Sequence, residues 1–386
     1  MTYCRICGEY ECKKHSFLLG KARQISEFSG SSPPEVFVGK WNYPNVYVGI
    51  LSPEQYGNTK IMSSAEEWHA KNLQIPKILS LRNQLIYGRT QSNIKKVLKS
   101  TKFLSVLQEV AMTHKSISTE FKLKKPIKKH DEKESKVPLI SNAAHVEKVK
   151  LQENPKIKKK IDYLVNDTDV KSTTSLLELE KAGINNSNLI KLLSAGLLGL
   201  KKNRKLVPTR WSITAVDDTL SKSKLEKIRY NPQIEEYLIF SGEYLGNHYE
   251  VLLLPRYWSF EVIEISLKNF GVWHDFESIF KRKKYASDVT GAYYANRLAV
   301  TEYLEKIKKQ AAALVLREIR PEYYAPLGVG ILRQTTRALF QNPPKRFENL
   351  NHALNDIKNR LRLPIEKFLK NSQLMQETQQ KTLGEF

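Results

Sequence analysis

The chain has 386 residues, 41% of them hydrophobic, enough apolar material for one large or two ordinary cores, which excludes disorder throughout. Its 63 Lys and Arg against 40 Asp and Glu give a net charge of +23, a field that favours polyanions and makes nucleic acid the first partner class. Apolar runs such as "EVLLLP" (250–255) fall far short of the roughly 20 residues that span a bilayer, and the first residues lack a signal-peptide pattern; together these predict a cytoplasmic protein with no membrane partner.

In chain order, the first feature is "CRICGEYECKKH" (4–15), which contains all 3 cysteines. In a reducing compartment, clustered thiols point to a metal or catalytic site rather than to disulfides. Cys4-x2-Cys7 and Cys12-x2-His15 are two tight pairs, and three thiolates with one imidazole complete a closed tetrahedral zinc shell. Residues 1–20 are therefore read as a zinc knuckle, its Zn2+ structural and metal binding its folding energy. Free thiols and an iron–sulfur ligand set are the alternatives.

Next, "SSPPEVFVGKWNYPNVYVGILSP" (31–53) reads as two strands joined by a turn at Tyr43-Pro44-Asn45. Ser63, with Glu66 three residues on, predicts a capped helix start, and further helices are expected at 75–87 and 91–112. These make residues 21–121 the N-terminal part of the core. Residues 122–160 hold 13 lysines against 5 acids, three prolines and no aromatic residue, and are read as a flexible basic connector. Apolar spacing over 174–199, broken at Gly183 and Gly196, predicts two short helices; followed by "LKKNRK" (200–205), they resemble a helix-turn-helix outline.

Strands are expected over 237–266, where aromatic and β-branched residues alternate with polar ones, and helices over 292–310 and 346–370. The fold class predicted is α+β: a mixed sheet-and-helix body, its C-terminal part spanning 161–370, between the knuckle and a flexible tail at 371–386.

Two segments carry candidate chemistry. In "RKLVPTRWSITAVDD" (204–218), Arg204 and Arg210 can fork onto phosphate, Trp211 can stack on a base, and Asp217 with Asp218 can hold a divalent cation if a turn brings both to one side. A structural cap is the plainer role for the two acids. In "APLGVGILRQTTR" (325–337), Gly328 and Gly330 precede a helix carrying Arg333 and Arg337 one turn apart, a pattern that can hold phosphate.

The last seven residues are "QKTLGEF", in which Gln380, Leu383 and Phe386 recur every three positions and so share one face of a 3₁₀ turn. Burying Leu and Phe is worth roughly 1.5–3 kcal/mol each, less the cost of ordering, which suggests affinity on the order of micromolar. The heptapeptide resembles the sliding-clamp (PCNA) interaction box, with one terminal aromatic instead of two. Together with the Cys/His cluster, the 31–53 and 204–218 segments and "YASDVTGAYYANRLAV" (285–300), it makes the chain similar to the archaeal Nre family over most of its length, the lysine-rich connector excepted. That resemblance implies a role in DNA repair with the clamp as partner, and leaves any reaction open. The family's pattern around 326–337 carries a Trp and an Arg-Glu pair where this chain has Gly330 and Gln334, so no catalytic role is assigned there.

The expectation is a chromosome-associated DNA-repair factor that binds the clamp through its tail and DNA through basic surfaces. The alternative is a nucleic-acid- or nucleotide-processing enzyme centred on Arg210, Asp217 and Asp218. A third possibility is a scaffold whose charge contacts RNA.

Overall fold

Alternation of apolar and polar side chains after Arg23 produces the first strands, β1 (Arg23–Ser32), β2 (Glu35–Val38) and β3 (Asn45–Ser52). The computed structural model describes residues 23–129, 142–280 and 282–379. There follow α1 (Ala65–Ala70), α2 (Ile75–Asn83), β4 (Ile86–Asn93), α3 (Lys102–Met112), β5 (Ile117–Lys129), β6 (Asn142–Leu151), α4 (Lys159–Asn166), α5 (Ser172–Lys181), α6 (Asn186–Ser194) and α7 (Thr209–Ile228). The chain divides into two units inside α7, after Thr219, and Ala325–Gly328 belongs to the first.

The first unit is built on a six-stranded sheet, order β1-β5-β6-β4-β3-β2, in which β4 and β6 run parallel and the other pairs antiparallel. Val46, Val48 and Ile50 are buried at alternate positions of β3. Phe28 and Phe121, directly opposite in the β1–β5 ladder, stack with centroids 4.5 Å apart. Gly88 makes room for that stack, since a Cβ there would lie 2.8 Å from Phe121 Cε1. On the helical side, α3 and α6 pack on each other and on β2.

The hairpin expected over 31–53 is present as β2 and β3. The range 122–160, expected to be a connector, instead contains most of β5, all of β6 and the start of α4. Its lysines alternate with buried Phe121, Leu123, Ala144, Val146 and Val149, so one strand face enters the core while the other carries charge. Two exposed cross-strand pairs, Lys122–Glu147 and Lys150–Glu120, lie on that outer face. Pro126, which cannot donate to a ladder, sits where the β1–β5 register shifts.

Elsewhere in this unit, α1 is capped by Ser64, whose Oγ accepts from Glu67 N, one residue later than expected. The helix expected over 91–112 is α3 alone, preceded by the end of β4 and a 3₁₀ segment, Ile94–Lys99. The pair resembling a helix-turn-helix is α5 and α6, but no residue of α6 is exposed and it packs on α3, α5 and β2, so it presents no face to a groove.

The second unit comprises β7 (Tyr237–Tyr244), β8 (Asn247–Leu254), β9 (Ser259–Ser266), β10 (Val272–Glu277), α8 (Gly291–Ile307), β11 (Ala312–Ile319), α9 (Val329–Leu339), β12 (Lys345–Phe347), α10 (Leu350–Lys358), α11 (Glu366–Leu369) and α12 (Gln373–Gln379). Its sheet runs β10-β9-β11-β8-β7-β12, with β11 parallel to β9 and antiparallel to β8. Both faces are covered. Val251, Leu253, Phe260 and Val315 pack with Tyr293, Val300 and Leu332 from α8 and α9, and Leu252, Ile263 and Leu316 pack with Ile357, Phe368 and Leu374 from α10, α11 and α12.

Every residue of β8 and β9 is buried, including the acids Glu250, Glu261 and Glu264. Each is compensated: Glu250 by a fork from Arg360 at 2.8 Å, Glu264 by Arg317 at 2.9 Å, and Glu261 by His274 at 2.6 Å. Glu261 also accepts from Ser372 Oγ and from Gln373 N at 2.7 Å, fixing the start of α12. Leu374 and Met375 are buried beside it, so residues 371–379, expected in a flexible tail, are part of the fold.

Candidate nucleic-acid interface

The β2–β3 connection, Gly39 to Pro44, is a tight loop held from three sides. Gly39 N donates to Tyr47 O at 2.8 Å, and Asn45 N to Asn42 O at 2.7 Å. Asn42 sits at φ 61°, a left-handed conformation that Asn adopts more readily than most side chains. The Pro44 carbonyl accepts from Ile94 N at 3.0 Å, and the Ile94 carbonyl accepts from Leu206 N at 2.9 Å. Thr209 Oγ1, at the start of α7, accepts from Val38 N at 2.9 Å. The loop, the 3₁₀ segment Ile94–Lys99 and the first turn of α7 are thereby joined.

This scaffold brings three aromatic rings to the surface. Trp41 is 74% exposed, Tyr43 43% and Trp211 46%. Tyr43 and Trp211 lie 5.2 Å apart between centroids, inclined at 51°, and Lys40 Nζ stands 4.6 Å over the Trp41 ring. Around them Lys95, Lys96, Lys99, Lys205 and Arg210 are exposed, and none has an acidic partner among the described residues. Further along the sheet, Arg89 stacks over Tyr47 at 4.2 Å. The His145 imidazole, opposite Arg89 in the β4–β6 ladder, is held below the ordinary histidine range by partial desolvation and by the positive fields of Arg89 and Lys124.

The other residues singled out from sequence do not join this surface. Arg204 donates Nε to Gly199 O at 2.8 Å, Nη1 to Val165 O at 2.8 Å and Nη2 to Asp167 O at 2.7 Å, closing carbonyls at the end of α4. Asp217 and Asp218 lie within α7, not in a turn, and successive helix positions are about 100° apart, so their carboxylates diverge. Asp217 is fully buried and accepts from Asn186 Nδ2 at 3.3 Å. Among the described residues no group of three or more His, Cys, Asp or Glu side chains is arranged to hold a metal ion.

In the second unit, Arg333 is buried on α9, and Arg337 forks onto Glu302 at 2.6 and 2.7 Å, so a phosphate there would have to displace a carboxylate. Gly328 precedes α9 at φ 91°, whereas Gly330 is inside the helix. Cys4, Cys7, Cys12 and His15, expected to bind zinc, and Gln380, Leu383 and Phe386, expected to bind the clamp, lie outside the described residues.

Trp41 and Tyr43 are hairpin residues in the sequence reading; the signal that could have found them is "GKWNYPN", a cation and two aromatic rings at a surface turn. One more titratable group stands out in the first unit. Burial pushes the Lys191 amine on α6 down to about 8, although Glu35 and Glu66 pull it upward.

Two family models match the chain, archaeal Nre N-terminal over residues 2–274 and archaeal Nre C-terminal over residues 277–386. The chain belongs to the archaeal Nre family. This Nre chain is 33% identical over 389 residues to DNA repair protein NreB of Archaeoglobus fulgidus, covering 99% of itself and 97% of that relative. DNA repair protein NreA of the same organism is 35% identical over 360 residues, 90% of each chain. NreA of Haloferax volcanii is 31% identical over 343 residues, 85% of this chain and 81% of that one. No solved structure matches the Nre chain. The seam between the two family segments falls at the end of β10, not at the division inside α7. Among the described residues no helix is long and apolar enough to cross a membrane.

Proposed function

We propose that this chain is a DNA-repair factor that contacts DNA through the cationic and aromatic face of its first unit and is fastened to the sliding clamp (PCNA) by Gln380, Leu383 and Phe386. Relatives matched over 99%, 90% and 85% of the chain carry the name DNA repair protein, which supports the process. The observation that carries the DNA contact is the unopposed charge of Lys95, Lys96, Lys99, Lys205 and Arg210 around exposed rings, in a chain of net charge +23. Phosphate replaces counterions at such a surface without having to displace an acid. Tethering at the clamp raises the local concentration of the body near DNA, so modest phosphate contacts suffice, and the protein works at the chromosome in the cytoplasm. In this reading Cys4, Cys7, Cys12 and His15 hold one structural zinc that organises the amino-terminal stretch.

A pull-down with the clamp tests the tether. The full chain is expected to be retained and a chain lacking residues 380–386 to be lost; equal retention of both would overturn the clamp assignment. Zinc content is checked separately by elemental analysis, with one metal per chain expected and loss of metal on Cys12→Ser.

A further inference from the structure

We propose that Trp41, Tyr43 and Trp211 form a stacking platform for the unstacked bases of single-stranded DNA; this rests on the reading that the face contacts DNA and names the form of DNA it holds. Phosphate binding alone requires only cations, which Lys95, Lys96 and Arg210 supply. Rings are a different provision. Within a duplex each base face is covered by its neighbours, so aromatic side chains gain stacking energy only where bases are exposed, as in a single strand. Exposure of two of the chain's 5 tryptophans on one small surface is otherwise costly, since tryptophan is highly buried on average.

The arrangement is also preorganised. Tyr43 and Trp211 come from segments far apart in sequence, yet the bond from Val38 N to Thr209 Oγ1 and the Ile94–Pro44 and Leu206–Ile94 backbone bonds fix the segments that carry them. The 51° inclination of the two rings prevents them from covering each other as a parallel stack would, leaving ring area for a ligand. Lys40 Nζ lies over one face of Trp41, so a base stacks on the opposite face with a cation close to its phosphate. Unopposed positive charge selects a polyanion over an apolar protein segment as occupant.

The test uses the full chain and fluorescence anisotropy with three probes at matched salt: oligothymidylate, a duplex of equal length and oligouridylate. Trp211→Ala and Trp41→Ala, both at exposed positions, are compared with Lys95→Ala/Lys96→Ala, and unchanged thermal melting confirms that each variant is folded. Each tryptophan variant is expected to weaken oligothymidylate binding by about 5- to 150-fold while leaving duplex affinity within about 2-fold, as loss of one stacked base predicts. The lysine variant is expected to weaken both DNA probes. Should the tryptophan variants bind oligothymidylate like the parent, or lose duplex binding equally, the platform is overturned while DNA contact stands. Tryptophan-dependent binding confined to oligouridylate overturns the assignment to DNA. Failure of the parent chain to bind any probe removes the DNA reading itself.

Discussion

The buried arginines of the second unit and the exposed cations around Trp211 in the first are used in opposite ways. In the second unit arginine is consumed internally. Arg297 pairs with Glu277 at 3.0 Å with both side chains about 1% exposed, Arg317 with Glu264, Arg320 with Glu318 and Glu243, Arg360 with Glu250 and Asp356, and Arg337 with Glu302. Arg360 on Glu250 and Arg337 on Glu302 are two-bond forks, the first joining the end of α10 to β8 and the second α9 to α8, whereas Arg297 ties α8 to β10 and Arg317 ties β11 to β9. Burial pushes the Glu250 carboxyl upward, but hydrogen bonds from Arg360, His248 and Ser241 outweigh this and hold it below the usual carboxylate range. In the first unit the cations around Trp211 are mainly lysines, exposed and without acidic partners among the described residues. Net charge therefore says little about where a polyanion binds until the cations that serve the fold are subtracted.

The largest expected effect comes from breaking one of the buried pairs. Arg317 is 5% exposed, and although burial opposes its charge, Glu264 and nearby Tyr249 and Tyr323 raise its pKa further above the ordinary range. Arg317→Ala is expected to destabilise the protein by about 3–5 kcal/mol, read by chemical denaturation, because Glu264 is left buried and charged. The double change Arg317→Met/Glu264→Leu should recover most of that loss; a double variant as unstable as the single one would mean that the pair holds the sheet in some further way.

Arg204 sharpens the comparison from the other side, as a first-unit cation that behaves like those of the second. Arg204→Ala should cost about 1–3 kcal/mol of stability, from three lost carbonyl partners, and leave the salt dependence of DNA binding unchanged. A shallower salt dependence in that variant would return Arg204 to the interface.

The smallest effect is a pH dependence. Lys191 has a folded pKa of about 8 against 10.5 in the unfolded chain, so between these values the unfolded state keeps a proton that the native state has lost. Stability should therefore gain a rising component from about pH 8 to about pH 10.5. Comparing denaturation midpoints of the parent and Lys191→Met across this window checks it: the difference between them should change with pH, and a constant difference would show that Lys191 titrates normally.

Much of the architecture was legible in the sequence because periodicity survives inside each element. The β2–β3 hairpin, the strands β7 to β9, and α5, α6 and α8 all follow from it. Charge, however, is not a proxy for exposure in this chain. In β5 and β6 the lysines concealed a period of two that places Phe121, Leu123, Val146 and Val149 inside. In β8 and β9 the burial of the glutamates depends on partners such as Arg360 and His274, 110 and 13 residues away, beyond any local pattern. The same holds for the interface. Arg210 and Trp211 stand out as a pair in sequence, whereas the approach of Tyr43 to Trp211 and of the Lys95–Lys96 segment to both depends on long-range hydrogen bonds.

The most direct test of the central claim, that the unpartnered cations of the first unit carry the DNA contact, is the salt dependence of duplex affinity for the Lys95→Ala/Lys96→Ala/Arg210→Ala variant. The slope of log affinity against log salt is expected to become shallower by about 0.9 for each phosphate contact removed. A slope identical to that of the parent, at equal stability, would contradict it.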